Sequence, residues 1–208
     1  MAGVDSSPEM IERAQAEARA SHSGRLRFSL GDVRTWTATE PVDVLVSNAT
    51  LQWVPGHLEL LPRWADLLAP GGWLAFQVPA NVDEPSHTEL AAVCTSERWR
   101  EQLGDLRVAV RAVEEPGTYL QTLADAGLIA DVWETTYQQV LPGEDAVLEW
   151  VRGTALRPVL SALGEQDQAE FLAEYGERLR RAYPRRPYGT VLPFRRIFAV
   201  AHRTRDGG

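Results

Sequence analysis

The sequence has only one cysteine, Cys94, among its 208 residues. A single cysteine excludes an internal disulfide and a zinc site built on cysteines. No histidine lies near it in a known catalytic motif, so we expect Cys94 to be packed in a helix rather than to act as a nucleophile. The chain also lacks an apolar run that could cross a bilayer and a signal-peptide pattern, which together predict a cytoplasmic protein.

Lysine is absent too, so arginine carries the 21 positive charges against 29 acidic residues, for a net charge of −8. Nucleic acids and anionic membranes require clustered positive charge, so neither is an expected partner. Arginine suits fixed, bidentate recognition of carboxylates. His22, His57 and His202 are scattered and predict no metal site. The oligomeric state is left open, with a monomer as the default.

The residues up to Pro79 alternate between strand and helix patterns. Strands are expected at residues 1–5, 25–30, 42–47 and 73–79, with helices at 8–20 and 58–68 and a turn at 69–72. This alternation is typical of a parallel, doubly wound sheet, so the predicted fold class is α/β and Rossmann-like. A hydrophobic content of 44% is ordinary for one globular domain of this length.

Beyond residue 79 the alternation breaks. We predict a single domain over 1–208, with an α/β core for cofactor binding at 1–79. Helical insertions at 80–115 and 143–190 are expected to fold over the site as a cap. Residues 116–142 and 191–204 then supply an edge helix and two antiparallel strands.

Polar residues lie at, or just beyond, the ends of three successive predicted strands: Asp5, Asp32 and Asn48. Ligands of open α/β sheets bind at the carboxyl ends of the strands, where an acidic residue can accept both ribose hydroxyls of a nucleoside. Asp32 could accept from the adenine amine, and Ser47 with Asn48 could hold the remaining polar part. Taken singly, each of these is equally well a capping or turn residue.

Four stretches, at 3–10, 31–33, 47–54 and 68–72, resemble successive motifs of the class I S-adenosylmethionine-dependent methyltransferases. Later stretches at 85–87, 131–137 and 193–198 resemble, within that class, the trans-aconitate methyltransferases. The resemblance implies S-adenosyl-L-methionine as cofactor and methylation of a trans-aconitate carboxylate to a monomethyl ester. The cofactor-binding residues it implies are Asp5, Ser6, Asp32, Val33, Ser47, Asn48 and Trp53.

The sequence departs from this class in one respect. Members of the class begin with a strand that ends in a Gly-rich loop, which approaches the methionine part of the cofactor, and the sequence has no such element. The corresponding strand would lie between the strands that end at Asp5 and Asn48. We therefore expect an N-terminally truncated chain whose two flanking strands lack ladder partners and which binds cofactor poorly or not at all.

A tricarboxylate acceptor needs local positive charge in an acidic protein, and Arg195 and Arg196 are the best candidates. Adjacent strand residues point to opposite faces, so we expect one arginine in the site and the other paired with an acid. The other predicted acceptor-binding residues are His87, Tyr137, Trp150 and Tyr188. For Trp53 and Trp150, packing is the favoured alternative, and for His87 it is a position at a helix start.

No catalytic residue is predicted, because a carboxylate is already ionised at neutral pH and needs no general base. The first hypothesis is therefore a carboxyl O-methyltransferase that acts by positioning. A methyltransferase with another small-molecule acceptor and a catalytically inactive binding remnant stay open as alternatives.

Overall fold

The structure, a computed structural model, describes residues 1–21, 24–106 and 113–205. Outside the described residues lie His22 and Ser23, just after the predicted helix at 8–20, and 107–112 of the predicted 80–115 insertion. The strands are β1 (Ala2–Asp5), β2 (Arg27–Leu30), β3 (Val42–Asn48), β4 (Leu68–Pro79), β5 (Ile129–Leu141) and β6 (Thr190–His202). The helices are α1 (Pro8–Ala20), α2 (Leu60–Leu67), α3 (Pro85–Cys94), α4 (Arg100–Leu103), α5 (Pro116–Asp125), α6 (Ala146–Arg152), α7 (Arg157–Ala162) and α8 (Glu165–Ala182).

The first two strands form a sheet of their own. β1 and β2 pair in parallel, in register from Ala2 with Arg27 to Asp5 with Leu30, and α1 connects them. The start of α1 follows from its sequence, because the Ser7 hydroxyl accepts from the Met10 amide at 3.3 Å and a proline occupies the first turn. The predicted helix is confirmed.

The other four strands form a second sheet in the order β3-β4-β6-β5. β3 is parallel to β4, whereas β6 runs antiparallel to β4 and to β5. The predicted turn at 69–72 is wrong, because β4 already begins at Leu68, which pairs with Val42 across an irregularity in the ladder. Gly71 adopts a positive φ of 79° there, a conformation that glycine tolerates at no steric cost.

The two faces of the larger sheet differ in burial. Leu74, Phe76 and Ile197 point to one face and pack with residues of α2 and α5 in a buried core. The residues that alternate with them form the second face, which we call the open face. At Val44, Val46, Trp73 and Trp133 its apolar side chains are exposed. A ligand or another chain segment can therefore reach this face directly.

The helices that follow β4 and β5 make a second buried cluster. Its members come mainly from α3, α6, α7 and α8 and include Leu90, Trp99, Leu156 and Phe171, all buried. Cys94 belongs to this cluster, so the prediction that it is a packed helical residue is confirmed. Within the described ranges, no helix is both long and apolar enough to span a membrane.

Candidate active site

The carboxyl ends of β1 and β2 carry two carboxylates in different states. Asp5 is exposed, and its Oδ1 accepts from the Ser7 amide at 2.8 Å, next to the exposed Ser6. Asp32 instead faces Arg34, whose Nε donates to both carboxylate oxygens at 3.0 Å. These hydrogen bonds hold the pKa of Asp32 at about 2. Asp32 is therefore ionised but already engaged, while the Val33 side chain next to it packs against the core.

The carboxyl end of β3 lies in the other sheet. Ser47 is buried, Asn48 is exposed, and Ala49 follows with a positive φ of 51°. A non-glycine residue in this conformation is strained, and such strain is typical of functional sites. The Ala49 amide donates to the Gln77 carbonyl at 3.0 Å, which fixes the turn against β4. Trp53 is 76% exposed, so packing, the favoured alternative for this residue, is wrong.

Asp5, Asp32 and Asn48 thus do not line one continuous sheet. In the part of the chain that the structure describes, no ladder joins β1 to β3, as expected for a sheet with a gap between these strands. Asp5 and the Trp53 indole are both exposed, so a ligand can reach each of them. Asp32 can contact such a ligand if Arg34 moves aside, and an exposed ion pair of this kind is weak enough to yield.

Arg195 and Arg196 point to opposite faces of β6, which confirms the predicted alternation. On the core side, Arg195 donates to Glu115 at 2.7 Å and, through Nε, to Glu134 at 3.0 Å. Its backbone amide donates to the Asn81 side chain at 2.7 Å. The two carboxylates raise the pKa of the Arg195 guanidinium above its usual value. Arg195 is therefore the arginine that pairs with acids.

Arg196 lies on the open face. Its Nη1 donates to Gln77 Oε1 at 2.6 Å, and its guanidinium carbon lies 4.7 Å from the centre of the Phe194 ring. Neither the amide nor the ring is negatively charged, so these two contacts do not compensate the positive charge of Arg196. Of the two predicted arginines, Arg196 is the one available to an anion.

The remaining predicted acceptor residues separate into two groups. Tyr137 pairs with Phe194 across the ladder, and Trp150 packs edge-on against the same ring at 6.1 Å, so both lie near Arg196. Tyr188 instead lines a cleft of about 410 Å³ with Glu84 and Arg186.

His87 lies in the first turn of α3, where its Nδ1 is 3.2 Å from the Ser86 hydroxyl. The helix-start position predicted as its alternative is therefore confirmed.

Sequence reasoning missed two buried polar groups. Gln77 ends up beneath Arg196, and its only sequence signal was a polar residue inside an apolar strand. His57 Nε2 lies 2.8 Å from the Tyr119 hydroxyl, which accepts from the Glu114 amide at 3.1 Å. The Val54 carbonyl can only accept, so His57 Nδ1 carries the proton and donates to it. In the neutral ring Nε2 is then the acceptor, and the Tyr119 hydroxyl donates to it.

Comparison with known proteins decides the family. Residues 1–72 match the family described as "Methyltransferase domain". The chain is 55% identical to the trans-aconitate 2-methyltransferase of Streptomyces avermitilis, over 97% of this chain and 75% of that relative. The chain belongs to the trans-aconitate 2-methyltransferase family. It is accordingly a methyltransferase, as the resemblance of its motifs implied.

Solved structures with low sequence identity to this chain share its fold. The YcgJ protein of Bacillus subtilis is 12% identical with a TM-score of 0.59, over 98% of this chain and 82% of that one. The phosphoethanolamine N-methyltransferase 2 of Haemonchus contortus, solved in complex with S-adenosyl-L-methionine, is 15% identical with a TM-score of 0.53, over 98% and 43%. The predicted Rossmann-like methyltransferase fold is confirmed.

Proposed function

We propose that the chain transfers the methyl group of S-adenosyl-L-methionine to a carboxylate of trans-aconitate, in the cytoplasm, and forms a monomethyl ester. The observation that supports this acceptor is the position of Arg196, which lies on the open face near the carboxyl end of β4 and forms no hydrogen bond with an acidic side chain among the described residues. Family membership supports both the reaction and the acceptor.

The residues of the chain act by positioning. When bound, S-adenosyl-L-methionine supplies an electrophilic methyl group on a sulfonium. A carboxylate is ionised at neutral pH and attacks without a general base. Holding the two groups in line lowers the activation barrier of such a transfer by up to about 7–11 kcal/mol. The chain therefore has to orient the acceptor and remove water from one of its carboxylates.

Charge complementarity assigns the acceptor to Arg196. The protein carries a net charge of −8, so a tricarboxylate is repelled at long range and needs a local cation. Arg195 is surrounded by Glu115 and Glu134 and cannot compensate a further anion. Tyr137 and Trp150, near the Phe194 ring, would form the walls of the acceptor site.

Tyr188 lies in the cleft beside Glu84, which Pro193 of β6 also lines, and His87 lies at the start of α3. Both stay acceptor-binding residues of the proposed site. The helical cluster of α3, α6, α7 and α8 would serve as the cap that limits access of water.

The cofactor would lie between the two sheets. Asp5 and Ser6 would hold the ribose, Asp32 and Val33 the adenine, and Ser47 with Asn48 the methionine part. Trp53 is exposed and can cover one side of the ligand.

The test follows transfer of a labelled methyl group to trans-aconitate by the purified chain, with the ester identified by mass spectrometry. Arg196→Met should raise KM for trans-aconitate by roughly tenfold to a hundredfold, because a charge-assisted contact to the acceptor is lost. Arg98→Met is the matched control, since Arg98 also lies over a ring, Trp99, at 4.8 Å and pairs with Glu170 in the helical cluster.

Two results would contradict the proposal. Transfer to another carboxylic acid in preference to trans-aconitate would favour a different acceptor. Absence of any heat on titration with S-adenosyl-L-methionine would favour the inactive binding remnant.

A further inference from the structure

Gln77 has a buried side-chain amide whose NH₂ group donates to none of the described residues. It belongs to the last three residues of β4 and is 7% exposed. Its Oε1 accepts from Arg196, whereas its Nε2 is buried with no hydrogen-bond partner among the described residues. The orientation of the amide is unambiguous, because a guanidinium offers only donors and must face the oxygen. A buried NH₂ group without an acceptor costs free energy and is rare in native proteins.

The position of this donor points to the reaction site. Gln77 pairs with Asn48 on β3 and with Phe198 on β6, so it lies on the open face between them. The backbone carbonyl of Gln77 accepts from the amide of Ala49, the residue in the strained turn. Residue Gln77 therefore contacts the turn at the end of β3 through its backbone and the guanidinium of Arg196 through its side chain.

We propose that Gln77 and Arg196 act together as the receptor for one carboxylate of the acceptor, an assignment that rests on the proposed function above. In the free protein the Gln77 oxygen accepts from the guanidinium, and Nε2 is buried without an acceptor among the described residues. When the acceptor arrives, the guanidinium turns outward onto the carboxylate and uncovers Nε2, which donates to a carboxylate oxygen. Binding thus supplies the hydrogen-bond acceptor that Nε2 lacks.

The chemistry of this pair selects a carboxylate. The groups offered to the ligand, a guanidinium and an amide NH₂, are all donors, and the pair carries one positive charge. An ester or a neutral amide at this position offers weaker acceptors and no compensating charge. The same donors would suit the carboxylate of the cofactor's methionine part, so the experiment measures the two ligands separately.

Five variants test the pair: Gln77→Glu, Gln77→Met, Arg196→Met, the double Gln77→Met/Arg196→Met, and the control Gln138→Met. Gln77→Glu keeps the oxygen that faces Arg196 and removes the N–H donor. Gln77→Met removes both polar groups at similar volume. Gln138 is an exposed residue of β5, so its replacement is the matched control.

Each variant is measured for KM and kcat with trans-aconitate, for Kd of S-adenosylhomocysteine by calorimetry, and for thermal unfolding. Both Gln77 variants should raise KM by roughly tenfold or more with kcat within about threefold and cofactor affinity unchanged. Gln77→Glu should raise KM without changing the unfolding temperature. If Gln77 had only a structural role, a change in KM would come with a lower unfolding temperature. The double variant should resemble Arg196→Met alone, because residues that act as a unit are not additive.

The failures can be told apart. If Arg196→Met raises KM while both Gln77 variants bind trans-aconitate like the unaltered chain, the inference is overturned and the proposed function stands. An additive double variant overturns the coupling of the two side chains. If the Gln77 variants weaken only the binding of S-adenosylhomocysteine, Nε2 donates to the cofactor, and its assignment to the carboxylate of trans-aconitate is overturned. If the unaltered chain neither methylates nor binds trans-aconitate, the proposed function fails, and this inference fails with it.

Discussion

Arg195 and Arg196 are neighbours in β6, yet their guanidiniums lie on opposite faces of the sheet, one against two carboxylates and the other against an amide and a ring. The pairing of strands decides this, since successive strand residues alternate between faces. Arg195 thereby joins β6 to Glu115, just before α5, and to β5, while Arg196 stays available to an anion. Two chemically identical side chains therefore differ in their surroundings, with Arg195 in ion pairs and Arg196 accessible to a ligand.

The first prediction concerns Arg195. Arg195→Met should lower the free energy of unfolding by about 1–2 kcal/mol, because it leaves two neighbouring carboxylates without their shared cation. Its effect on KM for trans-aconitate should stay below that of Arg196→Met. Chemical denaturation and steady-state kinetics on both variants measure this. A KM for Arg195→Met at or above that of Arg196→Met would reverse the assignment of the two arginines.

The second prediction concerns the buried hydroxyl of Tyr119. Tyr119→Phe should destabilise the fold by about 1–3 kcal/mol, because it leaves His57 Nε2 buried and unpaired. Urea denaturation provides the measurement. Tyr137→Phe is the control, since Tyr137 is exposed on β5 and should change stability little. Equal stability of the two variants would show that the His57 contact contributes nothing.

The third prediction concerns pH. Burial lowers the pKa of His57 below its usual value of 6.5, so the folded state binds its proton less readily than the unfolded state. Its contribution to stability is full above about pH 6.5 and falls as the pH drops toward the folded pKa, by at most about 1.4 kcal/mol per pH unit. Burial lowers the pKa of His87 as well, with the same sign.

Denaturation series between pH 5 and 8, taken on His57→Gln, His87→Gln and the unaltered chain, separate the two histidines. Each variant should flatten part of the slope. A slope that survives both substitutions would mean that other groups cause it.

The fourth prediction concerns Asp32 and Arg34. Arg34→Met should raise the pKa of Asp32 from about 2 toward its usual value of 3.8, because the hydrogen bonds from Arg34 are its main cause. Carbon-detected NMR titration of the aspartate side chains measures it. Arg13→Met removes an ion pair on α1 and should leave Asp32 unchanged. If Asp32 binds adenine, the same Arg34 variant should bind S-adenosylhomocysteine at least as tightly as the unaltered chain.

The fifth prediction concerns the turn after β3. Ala49→Gly should stabilise the protein by up to about 1 kcal/mol, because Ala49 has a positive φ that glycine adopts without strain. Ala65→Gly, in the middle of α2, should destabilise it by about 1 kcal/mol or more. Thermal unfolding compares the two. A loss of stability at both positions would mean that the turn is not strained.

Much of the fold could be predicted from local sequence. The apolar periodicity of β3, the serine and proline at the start of α1, and Pro116 at the start of α5 each act on their own neighbourhood, and each element formed there. The prediction of a turn at 69–72 was wrong because its glycines lie within β4, where the Gly71 amide donates to the Arg203 carbonyl and the Arg203 amide donates to the Gly72 carbonyl. These hydrogen bonds join residues that are distant in sequence. The prediction that Trp53 is packed was wrong for the same reason, since its neighbours in sequence do not indicate which residues contact its indole.

The sequence by itself determined the family, through motifs whose residue types and spacing are specific, and it determined that one of two adjacent arginines had to face away from the other. Only the tertiary structure decided which one, because that depends on the register of β6 between β4 and β5. It also placed Gln77 under Arg196, 119 positions away in sequence, and left the Gln77 NH₂ group without a partner in the described part of the chain. Contacts of that separation arise from strand pairing and packing, which no local pattern encodes.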